Sequence, residues 1–314
     1  MELDKLSTFE NLRVGPLTDW SLTRISGADR LTYLQGQLTA EVQGLAQGAQ
    51  TLSGHCDPKG KLWSVIRLIN AGEWIWMLQP ASAKAVQLPE LKKYSVFSKV
   101  NIEDEAQFCA VAVIGKQAKA FIEQHFGAPI AAQGGLLEEG YCLSYAAQPM
   151  RYLLIVPQAQ AQQLYTDESS LDELWQGLDI VAGLASITKP TSNEFIPQAL
   201  NLHLLDAISF TKGCYTGQEV VARAKYRGTN KRATMRFVGQ SSQEIENGSD
   251  IEMSLNGNWR RCGTVLNSYR QSDGYTEILA VVRKDSEADQ DYRLEGQEQS
   301  HLTLAHLPYS LDES

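Results

Sequence analysis

The 314-residue sequence has 43% hydrophobic and 21% charged residues, the balance of a chain that folds around real cores rather than one that stays disordered. Its 28 Lys and Arg stand against 37 Asp and Glu, a net charge of -9, which excludes a general polyanion binder and leaves room only for a local basic patch. The start, Met1-Glu-Leu-Asp-Lys-Leu6, has no basic region followed by an apolar stretch. The densest apolar run, Phe108–Ile114, is too short to cross a bilayer, so a cytoplasmic chain without a membrane partner is expected.

In chain order, Trp20 to Ile25 reads as a strand. Ser26-Gly-Ala-Asp29 has the pattern of a capping box before a helix carrying Leu31, Leu34 and Leu38. Thr51 to Leu78 reads as a β-meander with turns at Asp57-Pro-Lys-Gly60 and Asn70-Ala-Gly72. Cys109 to Ile114 predicts a strand leading to a helix that ends near Gly127, and Arg151 to Val156 predicts another strand. Ser170-Leu-Asp-Glu173 is a second capping-box pattern, before a helix with Leu171, Leu174, Trp175 and Leu178 on one face. After Gly228 helical periodicity gives way to turn signals, Asn256-Gly257 and Asp273-Gly274 among them, and the last eighty or so residues predict a small β-barrel or sandwich. The whole reads as α+β.

Five cysteines (Cys56, Cys109, Cys142, Cys214, Cys262) are scattered singly, which fits neither a disulfide framework nor a metal site. Cys214 stands apart by its neighbours. In Lys212-Gly-Cys-Tyr-Thr-Gly-Gln-Glu219, Thr216 and Glu219 form a capping box, so a helix is expected to start at Thr216. The helix start and Lys212 are then expected to favour the thiolate of Cys214. The alternative is a small buried cysteine beneath a loop. Seven basic residues (Lys212, Arg223, Lys225, Arg227, Lys231, Arg232, Arg236) lie between 212 and 236 against the single acid Glu219. They read either as an anion-binding patch with Tyr226 for stacking or as a solvated helix end. Lys92-Lys-Tyr-Ser-Val-Phe-Ser-Lys99 and Trp259-Arg-Arg261 are lesser basic-aromatic clusters, expected to be solvated surface with a tucked aromatic.

The octapeptide 212–219 resembles the signature of the YgfZ family, and its flanks agree: Phe195-Ile-Pro-Gln198 before it and Val221-Ala-Arg-Ala-Lys-Tyr-Arg-Gly228 after it. Similar segments are Leu17-Thr-Asp-Trp20, Tyr33 to Thr39, His55 to Lys61, Leu91 to Lys99 and Leu307 to Leu311, so the likeness spans nearly the whole chain. The resemblance implies a fold related to the glycine-cleavage T-protein around a tetrahydrofolate pocket. Residues 1–229 would form the folate-binding region, as two intertwined subdomains with the inner one at about 46–165, and 230–314 a C-terminal β-barrel. It also implies support of iron-sulfur enzymes and of tRNA modification such as methylthiolation, with folate, tRNA or tRNA-modifying iron-sulfur enzymes as partners and no DNA. Trp20 and Trp175 map onto two tryptophans associated with folate, and Cys214 and Lys212 become the candidate catalytic residues beside that pocket. T-proteins carry a catalytic aspartate after a Gly-Gly turn; here Lys59-Gly-Lys-Leu-Trp-Ser64 puts Trp63 and Ser64 in its place, against aminomethyl transfer. A one-carbon transferase with another acceptor, using Asp57 or Glu194, and a tRNA-binding scaffold without enzymatic activity stay open.

Overall fold

The computed structural model describes residues 6, 11–127, 131–145 and 150–311; Met1–Lys5, which bear on the expected absence of a leader, lie outside them. Two strands at the start of the chain, β1 (Arg13–Pro16) and β2 (Trp20–Ser26), go to different sheets. Helix α1 (Arg30–Gln37) follows, then the meander β3 (Gln50–Cys56), β4 (Leu62–Asn70) and β5 (Trp74–Pro80), helix α2 (Ala81–Lys93) and β6 (Asn101–Asp104). These strands form one antiparallel sheet in the order β3-β4-β5-β2-β6.

The second sheet uses β7 (Phe108–Ile114), β8 (Gly134–Leu137), β9 (Gly140–Tyr145) and β10 (Arg151–Pro157) in the order β1-β7-β10-β9-β8, with helices α3 (Ala118–Phe126) and α4 (Gln158–Leu164). The span 46–165 therefore contains strands of both sheets, and each sheet also takes a strand from before residue 27. Alternation along single strands explains the layering. In β5, Ile75 and Met77 face Leu34, Leu38 and Leu91 of the helical layer, while Trp76 and Leu78 face the other sheet. In β7, Val111 and Val113 meet Ile122 and Leu164, while Ala110, Ala112 and Ile114 face inward. Helix α5 (Asp172–Val181) and the preceding Leu171 send Leu171, Trp175 and Leu178 into the core that the two sheets share.

The last helix, α6 (Gln218–Tyr226), precedes a closed barrel of β11 (Arg232–Gln240), β12 (Asp250–Leu255), β13 (Asn258–Arg270), β14 (Tyr275–Arg283), β15 (Tyr292–Leu294) and β16 (His301–Ala305). Its order is β11-β14-β13-β12-β15-β16. The Asn256-Gly257 hairpin forms as the sequence predicts, both residues having positive φ (52° and 77°). Phe237, Val265, Ile278, Tyr292 and Leu302 fill the barrel, while Leu266, Leu279 and Val281 pack outside it against Ile180, Ile187 and Leu200.

Arg236, expected in the basic patch, is buried. Its Nε and Nη2 donate to Glu277 Oε2 (2.8 Å) and Oε1 (2.9 Å), and Tyr275 adds a third donor to the same carboxylate at 3.1 Å. Removing one partner strands a buried charge, at a cost of about 3–5 kcal/mol, whereas an apolar pair of similar volume is nearly neutral. Glu277→Ala is expected to lower the unfolding free energy measured in urea by that order and Glu277→Leu/Arg236→Leu to recover most of the loss. A double variant as unstable as the single one would overturn this account of the pair.

Candidate functional site

The segment 209–217 is fastened to the end of α1. The Lys212 ammonium donates to the carbonyls of Leu38 (2.8 Å) and Ala40 (2.7 Å), and its backbone N–H reaches Ser209 Oγ at 3.3 Å. Thr216 donates its N–H to Gly36 at 3.2 Å, and Tyr215 is buried with its ring 5.1 Å from the Lys212 nitrogen. Gly217 has φ +84° and its missing Cβ would sit 2.5 Å from the Asp57 carbonyl, so only glycine lets this loop touch the 57–60 turn. Cys214 sits between these anchors and is exposed.

The expected capping box does not form. The helix begins at Gln218, no side chain caps it, and the Glu219 carboxylate pairs with Arg223 at 2.6 Å. Gly217 in the left-handed conformation turns the chain before Thr216 can act as cap. Cys214 is therefore four residues from the first helical residue, and the Lys212 charge is spent on two carbonyls. What separates Cys214 from the other thiols is access. Burial pushes up Cys109 and raises Cys142 and Cys262 to about 12; burial and the Asp57 charge push Cys56 up further. Those four are held as thiols.

Of the seven basic residues at 212–236, five are exposed: Arg223, Lys225, Arg227, Lys231 and Arg232. Lys225 lies over the Phe210 ring at 3.9 Å, and Phe210 meets the exposed Tyr226 edge-on at 6.4 Å. Lys212 and Arg236 are withdrawn into structural bonds.

A cavity of about 650 Å³ opens between the Trp20 and Pro80 ends of β2 and β5, α5, the segment 186–190 and the barrel. Trp20 lines it, with Asp19, Asp172, Glu173, Asp179, Glu244 and Glu246 as acids and Arg270 as the cation among its lining residues. Burial, then the Asp172 charge, raises the Asp19 carboxyl. Asp172 Oδ2 accepts from the N–H and hydroxyl of Thr18 at 2.8 and 2.7 Å, while its Oδ1 is buried without a protein donor. Asp172 was visible in the sequence only inside a capping-box pattern; the cluster of acids had no linear signal, because three separate segments (Asp19, 172–179 and 244–246) bring it together. Among the described residues no group of three His, Cys, Asp or Glu side chains is spaced to hold a metal ion.

Cys214, Lys212 and Trp175 do not line this cavity. Trp175 is a core side chain, 0% exposed, its ring edge-on to Tyr145 at 5.1 Å and 4.5 Å from the Arg151 guanidinium. Its helix turns Asp172, Glu173, Gln176 and Asp179 to the cavity and Leu171, Trp175 and Leu178 to the core, as a 3.6-residue period requires. Asp57 Oδ1 caps its own turn, accepting from the N–H groups of Lys59 (2.9 Å) and Lys61 (2.8 Å), and Glu194 is exposed. Ser64 is fully buried and bonded to the Val65 carbonyl, so no carboxylate stands there.

Burial of its ammonium lowers Lys212 to about 8, with Glu41 opposing. The folded chain releases this proton well below the ordinary 10.5, so the contribution of this group to stability rises with pH between those values. Lysine 13Cε shifts are expected to show one residue titrating near pH 8, lost in Lys212→Met. A spectrum in which every lysine titrates above pH 10 would contradict the buried clamp.

Comparison with known proteins agrees with this architecture. The family model described as "YgfZ, beta-barrel domain" matches residues 230–297. The chain is 42% identical to the "tRNA-modifying protein YgfZ" of Serratia proteamaculans over 95% of this chain and 92% of that one, and 43% identical, over the same shares, to the protein of that name from Yersinia enterocolitica. Its fold matches the crystal structure of the glycine cleavage system aminomethyltransferase T from Bartonella henselae with a TM-score of 0.75, covering 97% of this chain and 88% of that one at 18% identity. With the T-protein-like fold, the closed barrel and relatives matched end to end, the chain belongs to the YgfZ family.

Proposed function

We propose that the chain acts in tRNA modification as a folate-binding accessory protein of iron-sulfur enzymes, with Cys214 as its reactive group and Lys212 positioning it. The observation that carries this reading is the fastened loop: one exposed thiol among five, held on both sides by bonds to α1 and to the 57–60 turn. The relatives' name supplies the tRNA context. Arg223, Lys225, Arg227, Lys231 and Arg232, exposed on an acidic chain beside Tyr226, give a phosphate backbone a place to bind.

The inter-unit cavity suits the pterin end of a reduced folate. The indole of Trp20 offers a face for a flat ring, and the amino-pyrimidinone edge presents N–H donors that a carboxylate accepts in pairs. The acid-rich lining fits that edge and repels a glutamate tail, which would project outward. A reduced folate, when bound, supplies one-carbon chemistry at its nitrogens. The chain's own residues orient the ring and bury it. Aminomethyl transfer is not part of the proposal, since Trp63 and Ser64 provide no carboxylate to manage the proton.

In cells lacking the native protein, Cys214→Ser is expected to accumulate as a folded chain and to fail in supporting tRNA methylthiolation; full complementation removes the thiol from the mechanism. Tetrahydrofolate is expected to quench tryptophan fluorescence saturably, and Trp20→Ala to weaken that response at unchanged stability. Trp175→Ala instead loses about 3–5 kcal/mol of stability as a core truncation. Absence of saturable quenching takes folate out of the cavity.

A further inference from the structure

The loop between α2 and β6 is the most exposed apolar feature of the described chain: Tyr94 is 50%, Val96 73% and Phe97 97% exposed, in consecutive turns. Far from a tucked aromatic, Phe97 stands almost wholly in water. Lys92, Lys93 and Lys99 flank it and are exposed; Lys93 pairs with Glu90, while Lys92 and Lys99 have no ion pair among the described residues. Of the nearby acids, Asp104 pairs with Lys84 at 2.7 Å and Asp29 accepts from the Lys99 N–H at 2.8 Å.

The loop is held. Tyr33 of α1 donates its hydroxyl to the Leu91 carbonyl, the Asp29 N–H reaches the Lys99 carbonyl at 3.3 Å, and the missing Cβ of Gly27 would meet that carbonyl at 2.2 Å. The platform thus rests on the N-terminal end of α1, whose C-terminal end carries the Cys214 loop through Gly36, Leu38 and Ala40. Eight helical residues separate the two ends by roughly 12 Å.

We propose that Tyr94, Val96 and Phe97 with Lys92 and Lys99 form a stacking platform for unpaired bases of a tRNA, which α1 places within a few nucleotides' reach of Cys214. The inference rests on the tRNA reading above and adds the surface that would recognise single-stranded RNA. Exposed rings accept any base by stacking, and unpaired lysines on either side match the phosphates that run past it. On a chain of net charge -9, cations set around exposed rings fit a polyanion better than an ordinary protein surface.

Fluorescence anisotropy of the full chain with three probes tests it: unfractionated tRNA, a hairpin RNA with an unpaired loop, and a fully paired duplex of the same length. Phe97→Ala is expected to weaken hairpin binding roughly tenfold, to leave duplex binding unchanged and to keep the thermal midpoint of the parent. Lys92→Ala/Lys99→Ala is expected to lower the salt slope by about 1.4, two phosphate contacts on a single strand. Wild-type hairpin affinity in Phe97→Ala and Tyr94→Ala, with binding lost in Arg223→Glu/Lys225→Glu/Arg227→Glu, overturns the platform and keeps the tRNA reading. An equal loss on hairpin and duplex overturns base stacking. A photo-cross-link from position 97 that captures protein and no RNA assigns the surface to a protein partner instead. No RNA binding by the parent chain at low salt ends both readings.

Discussion

The Lys212 ammonium is half-buried, and a charge in that setting persists only where oxygen atoms replace the water it has lost. The carbonyls of Leu38 and Ala40 do so from more than 170 residues away in sequence. With the Thr216 bond to Gly36 and the contact of Gly217 on Asp57, they fix both ends of a segment that has no regular structure of its own. Loop backbone is placed here by its bonds to other elements, and Cys214 inherits its position from them. A guanidinium could not stand in simply: the two carbonyls converge on one nitrogen, a point-charge geometry that lysine satisfies and a planar fork does not.

This fastening depends in turn on how the chain is interleaved. Because β1 and β2 join different sheets, the start of the chain ties the two layers together. Helix α5 has one face in the core the sheets share and an acidic face on the cavity, and it packs against β13 and β14 of the barrel, so the same helix closes the core and floors the cavity. Arg151, 1% exposed, joins these roles: it donates to Asp179 at 2.7 Å and to the Trp175 carbonyl at 3.2 Å while lying against the Trp175 and Tyr145 rings. Burial raises the Asp179 carboxyl, and the Arg151 cation beside it opposes that shift.

Much of this was legible in the sequence where physics is local. The β-meander, the strand at Phe108–Ile114, the helix stopped by Gly127 and the Asn256-Gly257 hairpin follow from alternation and from residues that tolerate positive φ. The capping boxes were less informative. At 26–29 the Asp29 carboxylate turns to the Lys99 N–H, at 170–173 Ser170 bonds Asp172 instead of completing the box with Glu173, and at 216–219 a left-handed glycine intervenes. Only Lys99 comes from another element; Asp172 and Gly217 stand inside the patterns, at the middle positions that the capping-box rule leaves unspecified. Arg236 and Trp175 teach the same lesson in opposite senses. Charge density assigned Arg236 to the surface, although Glu277 on the neighbouring strand neutralises it on the buried outer face of the barrel wall. Helical periodicity put Trp175 with the core leucines, and its ring is buried there, outside the cavity lining.

The cavity and the loop also differ in sign. The lining of the cavity is rich in carboxylates, while exposed cations gather on α6 and the strand after it. The two regions therefore carry opposite electrostatic potentials on one molecule. What connects the two regions is the irregular segment from 186 to 198. Ser186 and Thr188 bond the barrel residues Asn267 and Asn247 at the cavity. Farther on, Phe195 accepts from Leu62, the Glu194 carbonyl accepts from the Lys61 ammonium, and the Gln198 amide reaches the Val221 carbonyl of α6. One run of backbone thus borders the cavity at one end and is bonded at the other to the 57–62 turn and to α6, the elements that frame the Cys214 loop.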